Sequence, residues 1–315
     1  MKPQVVLSLF DGMSCGQIAF ERLGIPIKTY YASEIDPYPI KVTQANYPDT
    51  VQLGDVRDIS LESLPEKPDI ILAGSPCTGF SFAGKRLAFD DPQSVLFFEF
   101  VRLLKEIEPK WFLLENVKMK KEYLNVITEH VGVEPILLNS ALVSAQNRWR
   151  YYWTNIPGIN EPEDRGIVLR DILETEIGQE HFPKKLHKPK RVGTAAEING
   201  HDYLKRVYSP DGKSPTLTTC AGGNTEPKVA IYQKPRGTNL ETENEMRWRK
   251  LTPIEAERLQ TVDDNYTAHV SNSRRYHMLG NGWTVDIICH ILKNMVIVEQ
   301  GGEVEDRKGQ IGFEF

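Results

Sequence analysis

Apolar residues follow two rhythms along the first half of the chain. Short, mainly apolar runs at residues 5–10, 29–33, 70–73, 111–115 and 151–155 read as buried strands. Between them, residues 17–23, 37–46, 95–107 and 123–131 carry apolar positions three and four apart, as helices do. Strands separated by helix-length connections pair in parallel, so the pattern predicts an α/β fold with a doubly wound, mostly parallel, Rossmann-like sheet. After Ile156-Pro157 the texture changes: Pro, Gly, Lys and Thr become frequent and only short strands are expected. Thr252-Pro253-Ile254-Glu255 then starts a helix running to about residue 260, with Thr as N-cap, Pro in the first turn and Glu placed to close a capping box. A last helix is expected over 285–298, after Gly280-Asn281-Gly282. The predicted organisation is one domain from 1–157 plus 246–300, a smaller one at 158–245, and a loose tail at 301–315.

Composition narrows the class. Hydrophobic residues make up 40% and charged residues 26%, as in ordinary globular proteins, and no apolar run approaches the ~20 residues of a membrane span. No signal-peptide pattern precedes the first apolar run, so a cytoplasmic protein without membrane contact is expected. The four cysteines, Cys15, Cys77, Cys220 and Cys289, have neither disulfide-framework nor zinc-site spacing, and no metal is expected. A formal net charge of -5 disfavours a generally basic surface, yet residues 184–213 carry eight Lys or Arg against three acids. That local excess suits a phosphate-facing segment, and equally a solvated loop.

The candidate chemistry lies at strand ends. The first strand runs into Phe10-Asp11-Gly12-Met13-Ser14-Cys15-Gly16, a glycine-containing turn into a helix, where doubly wound folds bind adenosine-bearing ligands. Two of the three fingerprint glycines are present, so an ordinary tight turn is the competing reading. Glu34, 22 residues beyond Gly12, ends the next strand, where an acid accepts from ribose hydroxyls. Asp55 follows the run at 50–53 and is placed to accept from an adenine amino group.

A further strand runs into Gly74-Ser75-Pro76-Cys77, and the next ends in Glu115-Asn116-Val117. On its own, Pro76-Cys77 reads as strand-end packing and Glu115 as a helix-capping acid. Asn116 has an amide that can tie down the loop carrying Cys77. In Gln146-Asn147-Arg148-Trp149-Arg150, alternate residues share a face if the stretch is extended. Two guanidinium groups there would orient a carboxylate and favour a thiolate, unless the stretch is simply a solvated edge strand.

In this order the motifs resemble the cytosine-5 DNA methyltransferases over residues 4–299. The resemblance is carried by Phe10-Asp11-Gly12, Glu34, Gly54-Asp55, Ser75-Pro76-Cys77, Glu115-Asn116-Val117, Gln146-x-Arg148-x-Arg150, Leu251-Thr252-Pro253-x-Glu255-Ala256-x-Arg258-Leu259-Gln260 and Gly280-Asn281-Gly282-Trp283-Thr284-Val285. It implies methyl transfer from S-adenosylmethionine to carbon 5 of cytosine in a specific duplex DNA sequence, releasing S-adenosylhomocysteine, without a metal. The implied catalytic residues are Cys77, Glu115, Arg148 and Arg150. Phe10, Gly12, Gly16, Glu34, Ile35, Asp55, Val56, Pro76, Asn281 and Trp283 would bind the cofactor. Ser75, Ser81, Asn116, Gln146, Thr216, Leu217 and Thr218 would meet the DNA, with residues 216–218 holding the backbone beside an extruded base. Residues 158–245 would be the target-recognition domain, and the last helix would return beside the first strand.

Wording such as Leu7-Ser8-Leu9-Phe10-Asp11-Gly12 resembles the animal de novo enzymes, while the short recognition segment resembles solitary bacterial or phage enzymes. Thr78, where Gln or Asn is usual, and Gln93, where Arg is frequent, depart from the family pattern. The expected partner is double-stranded DNA, with a cognate restriction endonuclease as a second candidate and a monomer as the expected state. An RNA methyltransferase of related fold would share the catalytic motifs, a catalytically dead binding module would have lost Cys77 or the Glu115-Asn116 pair, and a nicotinamide oxidoreductase would explain only the glycine turn and Glu34.

Overall fold

All six residues of β1 (Gln4–Leu9) are buried, because a parallel strand in mid-sheet is covered on both faces. The computed structural model describes residues 1–76, 92–175, 195, 201–233 and 245–304. Its chain divides into two compact units, Met1–Asn139 with Trp149–Pro162 and Val285–Phe315, and Ser140–Arg148 with Glu163–Thr284.

In the first unit β1 is followed by α1 (Cys15–Arg22), β2 (Ile27–Ser33), α2 (Pro37–Asn46), β3 (Val51–Gln52), β4 (Ile70–Gly74), α3 (Pro92–Ile107), β5 (Trp111–Val117), α4 (Lys121–Val131), β6 (Ile136–Asn139) and β7 (Trp149–Thr154). The sheet order is β3-β2-β1-β4-β5-β7-β6. β1 to β5 run parallel, and β7 lies antiparallel between β5 and β6. The predicted doubly wound, mostly parallel sheet is what the chain forms. Leu7 and Leu9 of β1 share a core with Phe97, Phe100 and Leu103 of α3 and Ile127 of α4. The opposite face takes α1, and Gly16 explains how closely it seats: a Cβ there would stand 2.7 Å from both Leu72 Cδ1 and Tyr30 Oη. Gly16, expected at the cofactor, is thus also a packing position. The final helix (Val285–Glu299, α9 below) returns against α1, with Arg22 Nη1 donating to Asp286 Oδ1 at 2.9 Å.

The second unit holds α5 (Leu169–Ile172), α6 (Asp202–Lys205), β8 (Val207–Tyr208), β9 (Lys228–Gln233), β10 (Glu245–Lys250), α7 (Pro253–Leu259) and α8 (Asn272–Asn281). Its sheet has the order β10-β9-β8, and its core gathers Ala145, Leu169, Ile172, Val229, Leu251 and Leu259. The predicted start of α7 is present in full: Thr252 Oγ1 accepts from the Glu255 N–H at 3.1 Å, and Glu255 Oε2 accepts from the Thr252 N–H at 2.8 Å.

Several short or polar elements escape the sequence pattern, α5 and α6 among them. β3 and β6, two and four residues long, are too short to display a period. α8 is polar in composition because it buries Arg275, whose Nη2 donates to the fully buried Glu257 at 2.9 Å. Beyond residue 304 the expected tail lies outside the described residues.

Glu255 also receives both terminal nitrogens of the buried Arg249, each at 2.6 Å. Removing one partner strands the other charge in the core. Arg249→Met is expected to lower the unfolding free energy by about 3–5 kcal/mol, read by urea titration; a loss under about 1 kcal/mol would show that the pair is dispensable.

Candidate active site

Parallel strands end on one edge, and in the first unit that edge collects Leu9, Ser33, Gly74 and Val117. Past β1 the backbone turns through left-handed conformations at Phe10, Gly12 and Ser14 (φ 56°, 58° and 60°). The Gly12 N–H donates to Glu34 Oε2 at 2.9 Å, and Glu34 Oε1 accepts from the N–H groups of Ile35 and Asp36, both at 2.8 Å. A carboxylate offers about four acceptor positions, so Glu34 holds the turn while keeping one position for a hydroxyl. A Cβ on Gly12 would meet open space, and beside it Ile35 is 71% exposed, an apolar face without cover. Asp55 faces Arg57 instead: it caps the 3-10 turn Val56–Asp58 and pairs with the Arg57 guanidinium, which holds its carboxyl down at about 2.

Under the turn lies a polar cluster that the sequence did not single out. Asp11 accepts from Tyr30 Oη at 2.9 Å and from Ser14 Oγ, and Gln17 Nε2 joins Ser14 Oγ to Thr50 Oγ1. Burial pushes Asp11 up to about 6, against the lowering effect of its hydroxyl donors. Ser14 and Gln17, polar letters where the helix begins, are the hint of this cluster in the sequence.

Further along the edge, the Gly74↔Glu115 register sets Glu115 beside the strand end that leads to Ser75 and Pro76. Asn116 Nδ2 donates to Ser75 Oγ at 3.1 Å, so its amide does tie down this segment. Because β7 runs antiparallel, its start reaches the same edge: Arg150 pairs with Val117, and its Nε donates to Glu115 Oε1 at 2.8 Å. Both side chains are nearly buried. Cys77 and Ser81 lie outside the described residues.

The rest of the Gln146-x-Arg148 motif belongs to the second unit. Arg148, 2% exposed, donates to the carbonyls of Leu217 (3.0 Å), Gly280 (3.0 Å) and Gly282 (2.9 Å). Its guanidinium thus contacts three backbone carbonyls, whereas Arg150 meets the carboxylate. Gln146 Oε1 accepts from the Leu217 N–H at 2.7 Å, and Thr216 Oγ1 donates to the Asn147 carbonyl at 2.7 Å. Gln260, to which the sequence reading gave no task, completes the set: its Nε2 donates to the Leu279 carbonyl at 2.6 Å, and its Oε1 accepts from Gln146 Nε2 and Thr284 Oγ1. Asn281 is exposed at the end of α8, and Trp283 is buried.

Among the described residues of the basic segment, Lys213 is turned inward. Lys213 donates to the carbonyls of Ala141, Ser144 and Ile167, and burial pulls its ammonium down from the usual lysine range. Arg206 pairs with Asp202, while residues 184–191 lie outside the described residues. Among the described residues no three His, Cys, Asp or Glu side chains could hold a metal ion, and no helix is long and apolar enough to cross a membrane.

Comparisons with known proteins agree over nearly the whole length. A family model described as C-5 cytosine-specific DNA methylase matches residues 5–296. The chain is 31% identical over 332 residues to the type II methyltransferase M.HpaII of Haemophilus parainfluenzae, covering 95% of this chain and 90% of that one. It is 27% identical over 433 residues to the orphan methyltransferase M.SPBetaI of Bacillus phage SPbeta, covering 92% and 97%. The solved structure of the Entamoeba histolytica methyltransferase EhMeth superposes with a TM-score of 0.74 at 18% identity, covering 95% and 99%, a likeness of fold.

The raised Asp11 makes a pH prediction. An acid whose folded value lies above its unfolded value binds extra protons when folded, so its contribution worsens as pH rises from about 4 to about 6 and is flat above. The span corresponds to at most about 3 kcal/mol. The stability difference between Asp11→Asn and the parent should shift in the variant's favour across that range; a difference independent of pH in denaturant titrations would refute it.

Proposed function

The chain belongs to the C-5 cytosine-specific DNA methylase family and acts on DNA with S-adenosylmethionine as methyl donor, and we propose that it does so by extruding one cytosine of a specific duplex sequence and adding Cys77 to its carbon 6. The Glu115–Arg150 pair carries this reading, standing at the strand edge where Ser75-Pro76 leads covalently into Cys77.

Carbon 5 of cytosine is a weak nucleophile. In the proposed sequence the Cys77 thiolate forms a bond to carbon 6, and the ring double-bond electrons move toward carbon 5 as the Glu115 carboxyl, carrying its proton, donates it to nitrogen 3. Arg150 fixes the Glu115 carboxyl for that contact. Asn116 holds Ser75, and with it the backbone approaching Cys77. Bound S-adenosylmethionine supplies an electrophilic methyl group and leaves as S-adenosylhomocysteine. After carbon 5 has taken the methyl, a solvent-derived base removes its proton, the sulfur–carbon 6 bond breaks, and the thiolate is freed.

The first unit's turn suits that cofactor. Gly12 leaves room beside the backbone, Glu34 keeps an acceptor position for a ribose hydroxyl, and Ile35 offers a flat apolar surface to adenine. Phe10, Val56 and Pro76 are assigned to the same pocket, and Asp55 contributes through the acceptor capacity that Arg57 leaves it. Residues 158–245 are assigned to target recognition, with residues 216–218 on the DNA backbone. Duplex DNA is favoured over RNA as substrate by the family description and by the full recognition segment.

Bisulfite sequencing of DNA incubated with the purified enzyme should show methylation at one sequence context, while transfer RNA stays unlabelled; the reverse pattern would defeat the proposal. Cys77→Ala should reduce transfer by more than about 10⁴-fold, since covalent activation is lost outright, yet retain DNA and S-adenosylhomocysteine binding. Measurable turnover by that variant would remove Cys77 from the mechanism.

A further inference from the structure

Residues 216–218 belong to no helix or strand, so something other than a backbone ladder must fix them. Both backbone polar groups of Leu217 are taken by side chains, its N–H by Gln146 and its carbonyl by Arg148. The position of the segment therefore depends on what holds those two side chains. Gln146 Nε2 is held by the Leu259 carbonyl and Gln260 Oε1, each at 3.1 Å, and Arg148 by the carbonyls of Gly280 and Gly282.

Gly280 adds a contact of a different kind. Its φ is not in the left-handed region, so no backbone conformation demands glycine there. Space does: a Cβ would stand 2.2 Å from the Thr218 carbonyl oxygen, 2.3 Å from its carbon and 2.5 Å from the Thr219 nitrogen. All three are backbone atoms, so no flexible side-chain end can yield. The main chain of Thr218 thus leans on α8, while its side chain is exposed.

We propose that Gly280 and Gln260 are positioning residues that set the placement of the DNA-holding segment 216–218, Gly280 by permitting backbone contact with Thr218 and Gln260 by fixing Gln146. The inference rests on the proposed role of that segment at the extruded cytosine. An added methyl at 280 pushes the segment outward, and misplacement by about 1 Å can cost ~100-fold in rate.

The test uses the full chain and a duplex carrying the context found by bisulfite sequencing, with 2-aminopurine at the target position reporting extrusion. Gly280→Ala should lower kcat ~100-fold and suppress the fluorescence rise, while the Kd for S-adenosylhomocysteine changes less than ~3-fold. Placing an abasic site opposite the target cytosine makes extrusion cheaper and should restore at least ~10-fold of the rate. Wild-type rates in the variant, or an equal loss on paired and abasic duplexes, would overturn the proposal. If Gly280→Ala does not fold, Gln260→Met decides it by the same two readouts. Failure of the function reading is separate: the wild-type enzyme would then methylate no duplex at all.

Discussion

Parallel strands in register must end together, and that constraint assembles the first unit's site. Leu9, Ser33, Gly74 and Val117 finish on one edge because each strand pairs with a neighbour running its own way. The single reversal, β7, brings a strand start to the same place, so that Arg150 arrives where Glu115 ends. A parallel β7 would have carried Arg150 to the far edge. One reversed strand therefore turns a row of chain ends into an ion pair beside the segment leading to Cys77.

The second unit solves a different problem, placing a segment that has no ladder of its own. It does so with buried polar side chains: Gln146, Arg148, Gln260 and Thr284 are each at most 2% exposed, and each finds partners. Satisfied networks of this kind specify one arrangement, since any shift leaves a buried donor or acceptor unpaired. Lys213 belongs to the same logic, with its ammonium turned onto three carbonyls.

The acids of the first unit's strand edge show how one functional group, the carboxyl, serves three physical roles. Glu34 is spent largely on N–H groups of its own turn, Asp55 is paired with Arg57, and Asp11 is half-buried among hydroxyls. The sequence offers Glu34 and Asp55 alike as open acceptors, one for ribose hydroxyls and one for an adenine amino group. Their surroundings separate them, because an acceptor engaged by a guanidinium has less left for a ligand than one engaged by amides.

By itself the sequence determined the strand–helix alternation, the Thr252 capping box and the order of motifs, since periodicity, caps and covalent order are local properties. Asn116 tying Ser75 was legible too, because adjacent strand ends bring those letters together in any doubly wound sheet. Only the tertiary structure decided that Arg148 and Arg150, two letters apart, make different bonds, and that Gly16 packs against Tyr30 and Leu72. The same holds for Gln260, whose partners lie 19 and 114 residues away. A residue's type records what bonds it can make; which bonds it makes depends on neighbours that are distant in sequence, and folding alone supplies them.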